Sequence, residues 1–237
     1  MSISLRPLLG IGARIKQALL AQDCILCQAA SGARPLCEAC ERELPSNASA
    51  CPRCALAVSN NAECGACLAN PPYFDASCAA FSYAHPVDAL VQALKYGGQL
   101  ALAEWFARKL LERIGQPAGV DLIVPLPLHP ERLAERGFNQ AAEIAKSLSR
   151  ASGIGIDAHL ARRVRNTAPQ TNLPWRERAA NMRHAFCCER DVAGLSIAVI
   201  DDVMTTGATL NEFARTLKKS GAARVENWVV ARTPPRV

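Results

Sequence analysis

One stretch of thirteen residues, Ile197 to Thr209, limits the possible folds more than any other. A short, β-branched apolar run ends in Asp201-Asp202. A turn bearing Thr205, Thr206 and Gly207 follows, and a helix then opens. The apolar run is too short for a helix of its own and reads as a buried parallel strand. From Thr209 the pattern turns helical, with Leu210, Phe213, Ala214 and Leu217 on one face. Thr209 and Glu212 have capping-box spacing, and Lys218, Lys219 and Gly221 close the helix.

That geometry has a chemistry. A helix start leaves backbone N–H groups unpaired, and the helix dipole adds partial positive charge there. Gly207 lets the backbone approach a ligand closely, and Thr205, Thr206 and Thr209 add hydroxyl donors. With Ala208 they make a phosphate cradle. Asp201 and Asp202 are expected one loop away, at the carboxyl end of the strand, where open α/β sheets bind ligands. Carboxylates repel phosphate, so they should face sugar hydroxyls or a hard divalent cation. Phosphate, sugar diol and metal in a row describe a phosphorylated ribose. Any one of these features fits an ordinary strand–loop–helix unit with solvated acids; the combination is far more specific.

The rest of the C-terminal region alternates strand and helix. Ala76 to Tyr83 reads as a strand. Pro86 opens a helix with Val87, Leu90, Val91 and Leu94 at i, i+3, i+4 and i+7, ending near Lys95-Tyr96-Gly97-Gly98. A second helix runs from about Leu100 to Ile114. Asp121 to Val124 is a short strand stopped by Pro125. A helix reaching about Ser152 buries Phe138, Ala142, Ala145 and Leu148, and Val225 to Ala231 is the last strand. Alternating β and α elements imply a parallel sheet with helices on both faces. Residues 162–183 read as a long polar loop, functional or disordered.

The N-terminal third follows different rules. Eight of the eleven cysteines form four C-x-x-C pairs. Cys24 and Cys27 are followed after nine residues by Cys37 and Cys40. Cys51 and Cys54 are followed after nine residues by Cys64 and Cys67, so the second block repeats the first. Two knuckles complete a tetrahedral four-sulfur shell, which favours structural zinc, two ions in all. Consecutive knuckles give the simpler pairing; an interleaved cross-brace satisfies the same spacing. So small a segment lacks a core, and metal would supply its stability. Asn70-Pro71-Pro72 marks a linker. Cys78, Cys187 and Cys188 read as buried thiols. The expected division is an amphipathic N-terminal helix over 1–22, a double zinc ribbon over 23–72 and an α/β domain over 73–237.

Composition narrows the function. Regular thiol pairs belong to a reducing compartment, hence a cytoplasmic protein. No stretch reaches the roughly 20 apolar residues that span a bilayer. The first twenty residues lack the continuous apolar core of a signal peptide. The net charge of +6 lies entirely beyond residue 75, and residues 162–183 hold six arginines against one glutamate. Such local basicity suggests an anionic ligand site. No G-x-x-x-x-G-K-[ST] is present, and the four histidines are scattered, so neither a nucleoside-triphosphatase nor a serine-hydrolase site is expected.

The stretch 197–209 resembles the phosphoribosyl-pyrophosphate (PRPP) signature of type I phosphoribosyltransferases. Val124 to Gln140 widens the resemblance, with Pro125-x-Pro127-x-His129, Arg132 and Arg136-Gly137-Phe138-Asn139-Gln140. So do Leu94-Lys95-Tyr96 and the run from Arg163 through Thr167-Ala168-Pro169-Gln170-Thr171 to Ala185-Phe186. Together they are similar to the ComF/GntX family of competence-associated, phosphoribosyltransferase-like proteins, whose members often carry an N-terminal double zinc ribbon. The resemblance implies a type I phosphoribosyltransferase-like sheet flanked by helices. It implies that Asp201 and Asp202 contact the ribose hydroxyls and serve catalysis, that Thr205, Thr206, Gly207, Ala208 and Thr209 hold the 5′-phosphate, and that Mg²⁺ accompanies PRPP. Lys95, Arg132 and Arg136 become candidates for the pyrophosphate, since each offers charge-assisted donors. Residues 162–183 become the candidate for a hood over the ligand. The implied activity is phosphoribosyl transfer to an unidentified acceptor. The alternative is a non-catalytic PRPP sensor or a protein that handles single-stranded DNA, with DNA or competence-machinery proteins as partners.

Overall fold

The computed structural model describes residues 22–165 and 182–234. The expected N-terminal helix and residues 166–181 of the expected hood lie outside them. The chain divides into two compact units, residues 1–44 and 45–237.

In the first unit, β1 (Gln22–Asp23) and β2 (Ala30–Gly32) form an antiparallel pair, and α1 (Glu38–Arg42) follows. The second unit opens with the second cysteine block and its helix α2 (Gly65–Ala69). The repeat seen in the sequence is a repeat of backbone. Cys37 and Cys64 precede their helices at φ/ψ of −73°/159° and −73°/154°. Gln28 and Ala55, each just after a knuckle, take φ of 61° and 55°. Their N–H groups donate to Cys24 O and Cys51 O, both at 2.8 Å.

The sheet domain follows in order: β3 (Ala76–Ser82), α3 (Val87–Tyr96), α4 (Ala101–Ile114), β4 (Leu122–Pro125), α5 (Pro130–Arg136), α6 (Gln140–Ser152), β5 (Gly155–Ile156), β6 (Ala161–Arg163), β7 (Phe186–Cys188), β8 (Ser196–Met204), α7 (Ala208–Lys219) and β9 (Arg224–Arg232). Five strands pair in the order β3-β9-β8-β4-β5, all parallel. The short β6 and β7 pair antiparallel beside it. The alternating α/β pattern therefore gives the sheet expected of it.

Burial explains the layers. On α4, Leu102, Trp105, Phe106 and Leu110 are buried; Trp105 stacks on Phe81 of β3, ring centroids 5.7 Å apart. The α3 residues Val87, Leu90, Val91 and Leu94 are fully buried, as their spacing predicts. One continuous core joins Ile197 and Val199 of β8 to Phe213 and Leu217 of α7, to Phe186, and to Cys51, Cys54 and Cys67. The second ribbon is thus part of the sheet's own core. Asn47 donates to Ala55 O at 2.9 Å, Ser77 N to Pro52 O at 3.0 Å, and Arg113 to the carbonyls of Asn47 and Ala48. The compact boundary at 44/45 falls inside the expected ribbon segment for this reason.

Several local expectations are corrected. Strand β8 does not stop at the acids; it carries Asp201 and Asp202 inside it and ends at Met204. Helix α7 starts at Ala208 with Gly207 as N-cap and no side-chain cap. The capping box does not form, because the Glu212 carboxylate is taken by His184 N and by Arg215. Residues 130–136, to which the sequence pattern assigns no element, form α5, opened by His129, whose Nδ1 accepts from Glu131 N. On α6 the buried face is Ala141, Ile144, Ala145 and Leu148, with Phe138 and Ala142 only half-buried. Arg162 and Arg163 are strand, not loop. Of the three unpaired cysteines, Cys187 is exposed and the other two half-buried.

Candidate functional site

Strand β8 delivers two adjacent carboxylates to the edge of a turn. Successive strand residues alternate between faces. Asp202 therefore shares the face of Ala198 and Ile200, where α3 and α6 reach it. Lys95 Nζ forms an ion pair with Asp202 Oδ2, and Gln140 Nε2 donates to Asp202 Oδ1 at 3.2 Å. Asp201 instead lines a small recess with Val203, Met204, Thr205, Gly207 and Thr209. Its Oδ1 accepts from Asp202 N at 2.9 Å.

Burial and charge separate the two acids. Asp201 and Asp202 are 9% and 5% exposed. Burial and the neighbouring Asp202 carboxylate push Asp201 well above the usual carboxylate range. Asp202 is as deeply buried, yet the Lys95 ammonium holds it below that range. Burial works against the Lys95 cation too, and the Asp202 charge outweighs it, so Lys95 is raised. At neutral pH the site holds one firm carboxylate and one that resists ionisation.

The turn has the geometry of an anion cradle. Gly207 sits at φ 80°, a left-handed conformation that side chains avoid, and a Cβ there would come within 2.8 Å of Met204 Cε. Thr206 Oγ1 accepts from Ala208 N at 3.1 Å, which shapes the entry to α7. The first turn of α7 then presents its N–H groups over the recess.

The three basic candidates divide. Arg136 closes α5 and is tied inward: its Nη1 donates to Gln140 Oε1 at 2.5 Å and its Nη2 to Tyr96 Oη at 3.2 Å. It lies 5.1 Å from the Tyr96 ring centroid. Lys95 is engaged with Asp202. Arg132, half-buried on α5, lies near enough to Arg163 to disfavour that residue's charge. Lys95, Gln140 and Arg136 thus form one chain of contacts ending on Asp202. Gln140 was legible only as the last residue of a motif. Arg163 carries no signal in sequence beyond its place in a run, yet it is 8% exposed and 5.8 Å from the Phe186 ring centroid. Burial, then Arg132, lower its pKa to about 10, while Asp201 favours its charge.

The cysteines gather by consecutive knuckles. Cys24, Cys27, Cys37 and Cys40 form one group and Cys51, Cys54, Cys64 and Cys67 another, with all sulfurs of a group within 4.8 Å of one another. The interleaved alternative is ruled out. Each group fits a tetrahedral metal by ligand number and softness. Backbone N–H groups favour the thiolate form. Burial opposes ionisation of Cys24, yet donors from Cys37, Cys27 and Leu26 bring it to about 6. The same balance, with Cys64, Cys54 and Arg53 donating, brings Cys51 to about 7. These are closed, structural zinc sites with four protein ligands each. Among the described residues no helix is long and apolar enough to cross a membrane.

Comparison with known proteins finds a family match for each of these two kinds of segment. Residues 15–68 match the family model of the double zinc ribbon domain, and residues 133–236 that of the phosphoribosyl transferase domain. The chain is 36% identical to the DNA utilization protein YhgH of Salmonella typhi over 206 residues, which span 84% of this chain and 90% of the relative. It is 35% identical to the protein of that name from Escherichia coli, over 89% of this chain and 96% of the relative. It is 31% identical to competence protein F of Haemophilus influenzae, over 83% and 90%.

Proposed function

Because the chain belongs to the ComF family, that of the DNA utilization protein YhgH and competence protein F, we propose that it binds PRPP with Mg²⁺ at the carboxyl end of β8 and transfers the phosphoribosyl group to an acceptor. The observation that carries this reading is the placement of Asp201 and Asp202 directly before a turn whose Gly207 is left-handed and whose helix opens onto the recess.

The roles follow from chemistry. The turn 205–209 holds the 5′-phosphate through backbone N–H groups and threonine hydroxyls. The acid pair accepts from the ribose 2′- and 3′-hydroxyls. Asp201 and Asp202 with the threonine oxygens are a hard donor set that suits Mg²⁺. When bound, Mg²⁺ supplies charge neutralisation to the departing pyrophosphate. Lys95, Arg132 and Arg136 are the cations that would take up the pyrophosphate charge. Binding PRPP requires Lys95 to turn from Asp202 toward the ligand, which frees the carboxylate and delivers the cation in one movement. The chain has little proton chemistry to perform; it orients C1 and shields it from water.

The names of the relatives favour a second reading, in which the PRPP pocket serves DNA handling in the cytoplasm without turnover. Calorimetry with Mg²⁺-PRPP, run beside a pyrophosphate-release assay over a panel of bases, separates the two. Binding with release supports transfer. Binding without release supports the second reading. No binding overturns both.

A further inference from the structure

Arg232 ends β9 and is 7% exposed. Its guanidinium donates to four backbone carbonyls from three segments. Nε reaches Cys54 O at 2.9 Å, in the second knuckle. Nη1 reaches Met204 O at 3.0 Å and Thr205 O, at the entry to the phosphate turn, and Thr233 O at 2.9 Å. Such a cation is costly to bury, and its donors are spent on carbonyls rather than on a carboxylate. The ionisable groups beside it are the sulfurs of Cys54, Cys64 and Cys67.

Two consequences follow from elementary geometry and charge. A trans peptide points its N–H opposite to its C=O. Holding Met204 O and Thr205 O toward Arg232 therefore aims the N–H groups of Thr205 and Thr206 to the other side, away from the ribbon. One guanidinium thus engages both peptides of the turn entry, sharing Met204 O with Thr233 N, which donates to it at 3.0 Å. That guanidinium is itself set by the ribbon. A metal-bound shell of four thiolates around Zn²⁺ carries a net charge of about −2, since metal binding deprotonates its ligands. Metal loss removes this counter-charge and releases the knuckle that carries Cys54 O.

We propose that Arg232 is a positioning residue through which metal at Cys51, Cys54, Cys64 and Cys67 sets the anion affinity of the turn Thr205–Thr209. The first centre belongs to the other compact unit. The inference rests on reading that turn as the 5′-phosphate site.

The test uses the full zinc-loaded chain and four variants: Arg232→Gln, Arg232→Lys, Cys64→Ser and Cys37→Ser, plus the double variant of Arg232→Gln with Cys64→Ser. Zinc content, the Kd for Mg²⁺-PRPP and amide exchange over residues 204–209 are measured on each. Arg232→Gln and Cys64→Ser should each weaken PRPP about tenfold and speed exchange in the turn, and the double variant should be no worse than either. Cys37→Ser should lose zinc and change neither readout. Arg232→Lys, which keeps the charge, should recover part of the loss. Effects that multiply in the double variant, an equal response to Cys37→Ser, or unchanged exchange in Arg232→Gln overturn the proposal. If Cys64→Ser does not fold, chelation and zinc re-addition on wild type and Arg232→Gln replace it: in the former the turn should respond to metal more than β8 and β9 do, in the latter no more than they do. Failure of wild-type protein to bind PRPP, with zinc- and Arg232-dependent exchange intact, overturns the pocket reading and leaves the coupling standing.

Discussion

Lys95, half-buried on α3, and Asp202, buried on β8, form an ion pair closed by Gln140. The neighbouring Asp201 feels the same lysine, but burial and the Asp202 charge outweigh it, and it resists ionisation. Two adjacent acids that look equivalent in sequence therefore differ in what they contribute to the fold.

Substitution should expose that difference. Asp202→Asn leaves Lys95 as an unpaired charge of low exposure and should destabilise the domain by about 3 kcal/mol. Asp201→Asn removes a group whose ionisation the fold disfavours, and should cost little or raise stability. Both should weaken PRPP. Urea unfolding and calorimetry on the two variants check this; equal losses of stability would contradict it.

Stability should fall on the acid side partly through Glu212. Burial works against this carboxylate, but Arg215 and the His184 N–H hold it below the ordinary value of 4.5. A lowered folded pKa means that its contribution is complete above about 4.5 and is lost as pH falls through the folded value. Glu212→Gln should therefore flatten the acid limb of a stability–pH curve. Asp201 has the opposite sign. Its raised pKa means that its contribution is complete below 3.8 and is lost as pH rises through the folded value. Asp201→Asn should remove that decline at higher pH.

The two metal centres should differ in how far their loss spreads. Cys51, Cys54 and Cys67 belong to the core that contains Val199 and Phe213, so metal loss there should loosen the sheet. Metal loss at Cys24, Cys27, Cys37 and Cys40 should loosen only the first compact unit. Hydrogen exchange on Cys37→Ser and Cys64→Ser, read over the sheet strands, distinguishes them: protection in β8 and β9 should drop only in the second.

Gly207→Ala should lower phosphate and PRPP affinity more than it lowers stability. The left-handed φ costs about 1 kcal/mol for a residue with a Cβ, and the added carbon meets only the flexible end of Met204. The backbone can relieve this by turning its N–H groups out of the cradle. A binding loss of about fivefold or more, with a melting point shifted by only a few degrees, is expected.

Much of the fold was legible because its signals are local. The 3.6-residue period of Val87, Leu90, Val91 and Leu94 and the β-branched run Ile197–Ile200 each carry their own burial pattern. The cysteine spacing called for two four-sulfur groups but left open which knuckles pair, since that depends on folding in space. What escaped depends on long-range partners. Glu212 matched a capping box, but His184 and Arg215 compete for the same oxygens and prevail. Residues 130–136 carry little apolar pattern, so α5 had no periodic signal. Arg163 and Arg232 look like surface charges in sequence. Their burial is decided by an aromatic ring and by carbonyls far along the chain.

The duplicated knuckles share one backbone but meet different constraints. In the second copy every substitution is screened by the sheet it supports, so its loops have little freedom in length or shape. The first copy lies in its own compact unit, held by its four sulfurs and the buried Leu36. A tandem arrangement of this kind separates tolerance from restraint: one module is fixed as scaffold, and its twin is the one expected to tolerate being lengthened, recharged or exchanged. Grafting a foreign four-cysteine module in place of residues 22–44 is therefore the change this architecture should accept most readily.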